Sequence, residues 1–120
     1  MSPRVPFRRS PEGRYTLVAL ASPVKGAVVI RAFVLYESAP DPDRYEQHAA
    51  LCRQVAGGTF RHGPVFGAPV GEPRHRYYAE WEFEDMDAFR AAARTPEFAA
   101  TGKDAMALGI PFEVSFAELG

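Results

Sequence analysis

One histidine of this sequence stands in the apolar stripe of a predicted helix, and its side chain is suited to acid/base chemistry. The stripe consists of residues that recur at three- and four-residue steps: Tyr45, His48, Cys52 and Val55. Residues with this spacing share one helical face. A neutral imidazole in an apolar pocket can take up or donate a proton near neutral pH. On spacing alone, however, a histidine in such a stripe is more often a satisfied core residue than a catalyst.

A second group of polar side chains lies on one side of a predicted strand over residues 74–84. Alternation along this strand places three apolar side chains on one face: Ala79, Trp81 and Phe83. We assign that face to the helix-covered side of a sheet, and we assign three polar side chains to its open face: Tyr78, Glu80 and Glu82. Two carboxyl groups on one face can do acid/base work if they are buried together, or can form ion pairs with Arg31 or Arg76.

The candidate site that follows from these patterns has one catalytic residue and five ligand-binding residues. His48 is the candidate general acid/base. The ligand-binding candidates are Tyr45, His62, Tyr78, Glu80 and Glu82. Among them, Tyr78, Glu80 or His62 could orient a substrate carbonyl or the imidazole of His48.

The sequence gives little support for a metal or a cofactor. His48 and Cys52, four residues apart, supply only two potential metal ligands, and His62 and His75 lie one to a strand. There is no glycine-rich dinucleotide motif, P-loop or G-x-S-x-G motif. We therefore expect no metal and no bound cofactor, and we expect Cys52 to be an inert thiol in mid-helix.

The composition is that of one ordinary globular domain. The chain has 120 residues, of which 47% are hydrophobic and 24% charged, with a formal net charge of −1. This balance does not suggest nucleic acid as a partner. The longest apolar runs, residues 17–21 and 32–36, are far too short to span a membrane, and no secretory signal is visible. The single cysteine fits a reducing compartment, so we expect a cytoplasmic protein.

The charge is uneven along the chain. Residues 1–26 carry one acid, Glu12, and five bases: Arg4, Arg8, Arg9, Arg14 and Lys25. Prolines at positions 3, 6, 11 and 23 forbid a long helix there, and residues 15–19 could form a short strand. We therefore divide the chain into a basic, proline-containing extension (1–26) and a folded domain (27–120). We expect the extension to dock onto its own domain or a neighbouring one.

The first half of the domain predicts a strand followed by a helix. The run VVIRAFVLY, residues 28–36, is β-branched and aromatic, as strands are. Asp41 as N-cap and Pro42 at the first helical position predict the start of a helix. That helix is expected to end near Ala56, because Gly57-Gly58 can supply a left-handed stop.

The second half predicts two strands, two short helices and a closing strand. The strand over 59–67 is expected to be broken or bulged at Gly63-Pro64, and it leads into the strand over 74–84. A last strand covers 111–119. The helices between them begin at two capping residues: Asp85 and Thr95.

This order is that of the α+β class: a ferredoxin-like split βαβ-βαβ arrangement with a four-stranded antiparallel sheet and helices on one face. The first strand, 28–36, is apolar on both sides, so both of its faces should be buried. A second copy of the chain packed on the open face is the most economical cover, which predicts a homodimer.

The chain resembles the EthD family (the ethyl tert-butyl ether degradation type) of the dimeric α+β barrel superfamily. Three segments carry this resemblance: HAALCRQVAGG (48–58), RYYAEWEFEDMDAFRAAARTPEF (76–98) and PFEVSF (111–116). His48, Leu51 and Ala56-Gly57 occupy the places of the family's histidine, leucine and helix stop. The resemblance implies a homodimer whose sheets enclose a small-molecule cavity. It also gives the catalytic interpretation of His48 the same weight as the interpretation of His48 as a core residue.

Two functions follow from the resemblance as expectations. The first is a cofactor-independent, monooxygenase-like oxidoreductase acting on an apolar or aromatic small molecule, in degradation or biosynthesis, with His48 as the general acid/base. The second is a ligand-binding accessory protein without catalysis. A polyketide-type cyclase or an isomerase on the same fold is a further alternative, because fold alone does not choose the reaction.

Overall fold

The computed structural model describes residues 28–120 and two short backbone segments that precede them. These segments are strands β1 (Arg8–Arg9) and β2 (Tyr15–Thr16), which pair antiparallel. Strand β2 begins where a short strand over 15–19 was expected. The rest of that strand, and the predicted docking of the extension 1–26, lie outside the described residues.

The domain has a four-stranded antiparallel sheet with helices on one face, as predicted. The strands are β3 (Val29–Tyr36), β4 (Gly58–Pro64), β5 (Tyr77–Phe83) and β6 (Phe112–Leu119). Their order across the sheet is β4-β5-β3-β6. The helices are α1 (Pro42–Arg53), α2 (Met86–Ala93) and α3 (Pro96–Ala107). This is the ferredoxin-like α+β arrangement. No helix within 28–120 is long and apolar enough to cross a membrane.

The helices begin at the residues that the sequence predicted. Side-chain oxygens of Asp41, Asp85 and Thr95 accept hydrogen bonds from backbone N–H groups of the first turn, three residues on. Helix α1 ends at Arg53, earlier than the predicted end near Ala56. The N–H of Gln54 already bonds to the carbonyls of Leu51 and Cys52, which tightens the last turn.

Strand β4 ends at Pro64, so of the two alternatives predicted at Gly63-Pro64 the structure has the break and not the bulge. Its register with β5 runs without a slip from Gly58 opposite Phe83 to Pro64 opposite Tyr77. A proline is tolerated here because β4 is an edge strand and Pro64 is its last residue. Gly57, which precedes the strand, has φ +87°, a left-handed conformation that glycine adopts without strain.

The core lies between the helices and one face of the sheet. On β3 the buried residues alternate with less buried ones, and the buried set is Ile30, Ala32, Val34 and Tyr36. The neighbouring strand contributes Ala79, Trp81 and Phe83, which are also buried. The assignment of these three residues to the helix-covered face is therefore confirmed.

Candidate functional site

His48 lies on the buried face of α1 and connects that helix to α3. Only 4% of its side chain is exposed. Its Nδ1 lies 2.8 Å from Oδ2 of Asp104 on α3, and its Nε2 lies 3.4 Å from Sγ of Cys52, one turn along α1. Both ring nitrogens therefore have partners, and those partners differ in strength, because a carboxylate is a far stronger acceptor than a thiol group.

Asp104 is an ionised acceptor that orients the imidazole. Arg44 donates two hydrogen bonds to its carboxylate, at 2.9 and 3.2 Å. The Arg44 guanidinium holds the pKa of Asp104 below its usual value, and the hydrogen bond from His48 acts in the same direction. A carboxylate that only accepts hydrogen bonds requires a proton on Nδ1 of His48. In the neutral imidazole, Nε2 is then the nitrogen with a free lone pair.

Cys52 completes the row Asp104–His48–Cys52, but it does not have the properties of a nucleophile. The side chain is 1% exposed, and burial raises the pKa of its thiol to about 12. Nucleophilic attack needs the thiolate, which a buried cysteine with such a pKa does not form near neutral pH. Its S–H group can instead donate a weak hydrogen bond to Nε2 of His48, and a better donor can displace it.

A cavity of about 150 Å³ lies beside His48, between α3 and the helix-covered face of the sheet. The sheet supplies aliphatic and aromatic walls, with Val34, Trp81, Phe112, Val114 and Phe116 among the lining residues. Helix α3 supplies Phe98, Thr101, Gly102 and Ala105. A dry apolar cavity of roughly this volume can hold one benzene-sized ring.

The polar groups that line this cavity are few. Tyr36 and His48 both contribute to the wall. The hydroxyl of Thr101, also in the wall, donates to the carbonyl of Phe98 at 2.6 Å. That hydroxyl is therefore occupied within its own helix. The cavity accordingly suits a molecule that is mostly apolar and has one polar end directed toward His48.

An aromatic cluster, which we call the tyrosine cluster, packs behind His48: Tyr36, Tyr45, His62 and Tyr77. The ring of Tyr45 contacts the rings of His48 and His62, at centroid distances of 5.2 and 4.9 Å. The hydroxyls of Tyr36 and Tyr45 lie 3.3 Å apart, and the hydroxyl of Tyr77 lies 2.7 Å from Nδ1 of His62. Burial lowers the pKa of His62, so its imidazole stays neutral over a wider pH range. Of the predicted candidates, Tyr45 thus contacts His48 directly and His62 contacts Tyr45, although neither lines the cavity.

The other three candidates, Tyr78, Glu80 and Glu82, lie on the opposite face of the sheet. Successive side chains of a strand point to opposite faces, so these three cannot reach a cavity on the Trp81 side of β5. Within one subunit, therefore, the structure does not bring these three residues together with His48. The cavity beside His48 lies on the helix side of the sheet, not on the open face where the resemblance implied a dimer-enclosed space.

On that open face the acids are paired with arginines. Arg61 donates to Glu80 at 2.6 and 2.9 Å and to Glu82 at 2.9 Å, and Arg31 donates to Glu82 at 2.8 Å. The hydroxyl of Tyr78 donates to Glu80 at 2.8 Å, and burial together with this carboxylate raises its pKa to about 12. The Arg31 hydrogen bond lowers the pKa of Glu82. This open-face network is an ion-paired arrangement, the alternative that the sequence left open.

Sequence reasoning missed Asp104, Arg44 and Tyr36 as members of the site. Asp104 lies in α3 next to the inward-facing positions, and Arg44 lies in the first turn of α1. Each looks like an ordinary surface charge in the sequence. Arg44 lies four residues before His48 on α1, a spacing that places the two on one helical face, whereas only the packing of α1 against α3 brings Asp104 to His48. Within 28–120 no three His, Cys, Asp or Glu residues are grouped closely enough to hold a metal ion.

Solved structures similar to this chain were found, but no matching family model was. No family model matches the chain, and none of the curated proteins does. An EthD family protein from Bacillus halodurans C-125 has a similar structure, with 26% identity and a TM-score of 0.62, over 74% of this chain and 96% of that chain. A dimeric ferredoxin-like protein of unknown function from Jannaschia sp. CCS1 is 24% identical with a TM-score of 0.60, over 76% and 99% of the two chains.

A third similar structure is a point mutant of SnoaB, a cofactor-independent oxygenase from Streptomyces nogalater. It is 20% identical with a TM-score of 0.51, over 74% of this chain and 90% of that chain. A similarity at this level of identity concerns the fold alone. The comparisons confirm the expected resemblance: the chain has the EthD-like, ferredoxin-like fold of the dimeric α+β barrel proteins.

Proposed function

We propose that this protein is a small homodimeric enzyme in which His48 acts as a general acid/base on an apolar or aromatic small molecule, without a bound cofactor. One observation carries the proposal. A buried imidazole in the wall of an apolar cavity has its Nδ1 hydrogen-bonded to an ionised carboxylate. A carboxylate that accepts a hydrogen bond from the ring in this way orients a histidine base and stabilises the imidazolium that forms when the base takes a proton.

The first step is proton removal from the substrate. Nε2 of His48 takes a proton from a phenol O–H or from a C–H next to a carbonyl, displacing the weak hydrogen bond from Cys52. The imidazolium that results donates to Asp104, and Arg44 keeps that carboxylate ionised. The mostly apolar walls lower the local dielectric constant, which strengthens the ion pair between the imidazolium and Asp104.

For the oxygenase outcome, dioxygen is the co-reactant that takes the electrons of the anion. A carbanion formed at a CH2 group adds dioxygen to give a peroxide, which His48 protonates to a hydroperoxide. Removal of the second C–H proton breaks the O–O bond, leaving a carbonyl and releasing water. The group CH2 and one dioxygen thus become C=O and water, so no other oxidant is required.

Proton removal itself can be measured before the natural substrate is known. Acetophenone has one aromatic ring and acidic C–H groups beside a carbonyl, so it matches the cavity. The single tryptophan, Trp81, lines the cavity and should report binding by fluorescence quenching. For a ligand of this size we expect a Kd of roughly 0.1–1 mM. In D2O, NMR should show the protein accelerating loss of the methyl proton signal, and His48→Gln should abolish the acceleration while retaining binding.

The alternative is a ligand-binding protein without catalysis, and one contact favours it. The Cys52 thiol satisfies Nε2 of His48 at 3.4 Å, so the imidazole can be fully hydrogen-bonded with no proton to transfer. The same assay separates the two functions. Quenching of Trp81 without proton exchange would favour the binding protein, whereas exchange that depends on His48 supports the enzyme. Exchange that survives His48→Gln would refute the assignment of the base.

A further inference from the structure

Gly102 is an unusual residue at its position in α3. It is the seventh of the helix's 12 residues, and a glycine in a helix interior is destabilising relative to alanine. Within the described part of the chain, neither the backbone conformation nor close packing requires a glycine at this position. Its φ is not in the left-handed region, and a Cβ built on it would meet no described atom within 4 Å. The missing side chain therefore leaves open space.

That open space belongs to the cavity beside His48. Phe98, Thr101, Gly102 and Ala105 follow one another at helical spacing and all line the cavity. Thr101 and Ala105 are buried, whereas Gly102 is exposed. Among the helix residues of the wall, Gly102 thus lies where the cavity meets solvent.

The opposite side of this opening is formed by β6. Val114 and Phe116 line the cavity as well, and they are 48% and 57% exposed. The inner wall, by contrast, consists of buried residues: Val34, Tyr36, His48 and Trp81. The exposed lining residues therefore mark one end of the cavity, and His48 lies among those that mark the other. Two large apolar side chains at the open end give an apolar ligand a surface to contact before it enters.

We propose that the cavity opens between Gly102 of α3 and the side chains of Val114 and Phe116 of β6, and that Gly102 sets the width of the molecule that reaches His48. The substrate class is then a flat aromatic compound with a single ring. It enters edge-on, with its oxygen substituent directed toward His48. This inference rests on the proposed ligand cavity, but it does not require that His48 be catalytic.

Substitutions at Gly102 test the proposal through two measurements, the Tm and the affinity for acetophenone. Gly102→Ala should raise the first and lower the second. Gly102→Ala adds a methyl group in open space and should raise the Tm by about 4 °C through helix propensity. The same change should weaken binding of acetophenone at least threefold, measured by Trp81 quenching. Gly102→Leu should weaken it at least tenfold and slow association in stopped-flow measurements. Phenol, which is narrower, should be affected less than acetophenone by Gly102→Ala.

Ala100→Leu is the matched control, because Ala100 is an exposed residue of the same helix that does not line the cavity. It should leave the affinity for both ligands within a factor of two. If Gly102→Leu binds acetophenone with wild-type affinity and association rate, the entrance lies elsewhere and the inference is wrong, although the cavity remains. If the wild-type protein binds neither ligand, both the inference and the proposed function are overturned.

Discussion

The Asp104→Asn substitution tests the central contact of the site, because it changes the charge of one side chain and nearly preserves its shape. The native carboxylate accepts a hydrogen bond from Nδ1 of His48 at 2.8 Å. An asparagine can present its NH2 group to the imidazole instead, which would move the ring proton to Nε2. That tautomer has no lone pair at the nitrogen that is to act as a base. We therefore expect the His48-dependent proton exchange of acetophenone to fall at least 100-fold, with Kd nearly unchanged.

The same substitution should lower the free energy of unfolding by about 2 kcal/mol at pH 7. A hydrogen bond to a charged group contributes about 1.5–3 kcal/mol, and here its partner is an almost fully buried imidazole. We assign no additional stability to the exposed Arg44 contact, because solvent screens it. Urea unfolding followed by Trp81 fluorescence measures the difference, with Asp87→Asn, an exposed aspartate of α2, as the control.

The stability difference should also depend on pH in a defined direction. Because the folded protein holds the pKa of Asp104 below its ordinary value of 3.8, the carboxylate contributes its full stability above the unfolded pKa. This contribution is lost as the pH falls through the folded value. The gap between wild type and Asp104→Asn should therefore narrow as the pH falls below about pH 4. A gap that does not change on acidification, or exchange that is unaffected by the substitution, would refute this role of Asp104.

Three further predictions concern the rest of the domain. Gly58→Ala should lower the free energy of unfolding by about 1–3 kcal/mol, because its Cβ would lie 2.7 Å from a ring carbon of Phe83. Gly63→Ala, which meets no described atom within 4 Å, is the control in the same denaturation assay. Cys52 should react with iodoacetamide at pH 8 at least 100-fold more slowly in the folded protein than in the urea-unfolded protein. The reason is that burial raises the pKa of its thiol to about 12. Equal rates would show that the thiol is accessible in the folded protein. Phe33→Glu, on the open face beside Tyr78, should convert a dimer to a monomer in light scattering while the Trp81 spectrum is retained; a dimer that persists would place the interface elsewhere.

The elements of the domain could be predicted from the sequence because their signals are local. A capping side chain acts on an N–H three residues away, as Asp41, Asp85 and Thr95 do here. Alternation along β5 likewise assigned Trp81 to the helix-covered face, since a strand's side chains alternate regardless of their partners. The strand and helix order then restricted the topology to the ferredoxin-like arrangement.

The sequence also identified His48, but not what the histidine contacts. Asp104 is 56 positions away along the chain, and it reaches His48 only because α1 and α3 pack side by side on the sheet. The sequence likewise predicted the interruption of β4 at Gly63-Pro64 but not the position of this strand at the edge of the sheet. A Gly-Pro pair disrupts an inner strand, whereas the edge position of β4 tolerates it.

By itself, then, the sequence determined which segments form helices and strands, which face of each is apolar, and that His48 lies in a buried helical stripe. Tertiary structure alone decided which side of the sheet holds the cavity, and it separated His48 from Tyr78, Glu80 and Glu82. It also brought Asp104 of α3 into contact with His48 and Arg44 of α1. The physical reason is that local signals depend on backbone hydrogen bonds and side-chain periodicity within a few residues, whereas a site depends on distances between segments that only packing brings together.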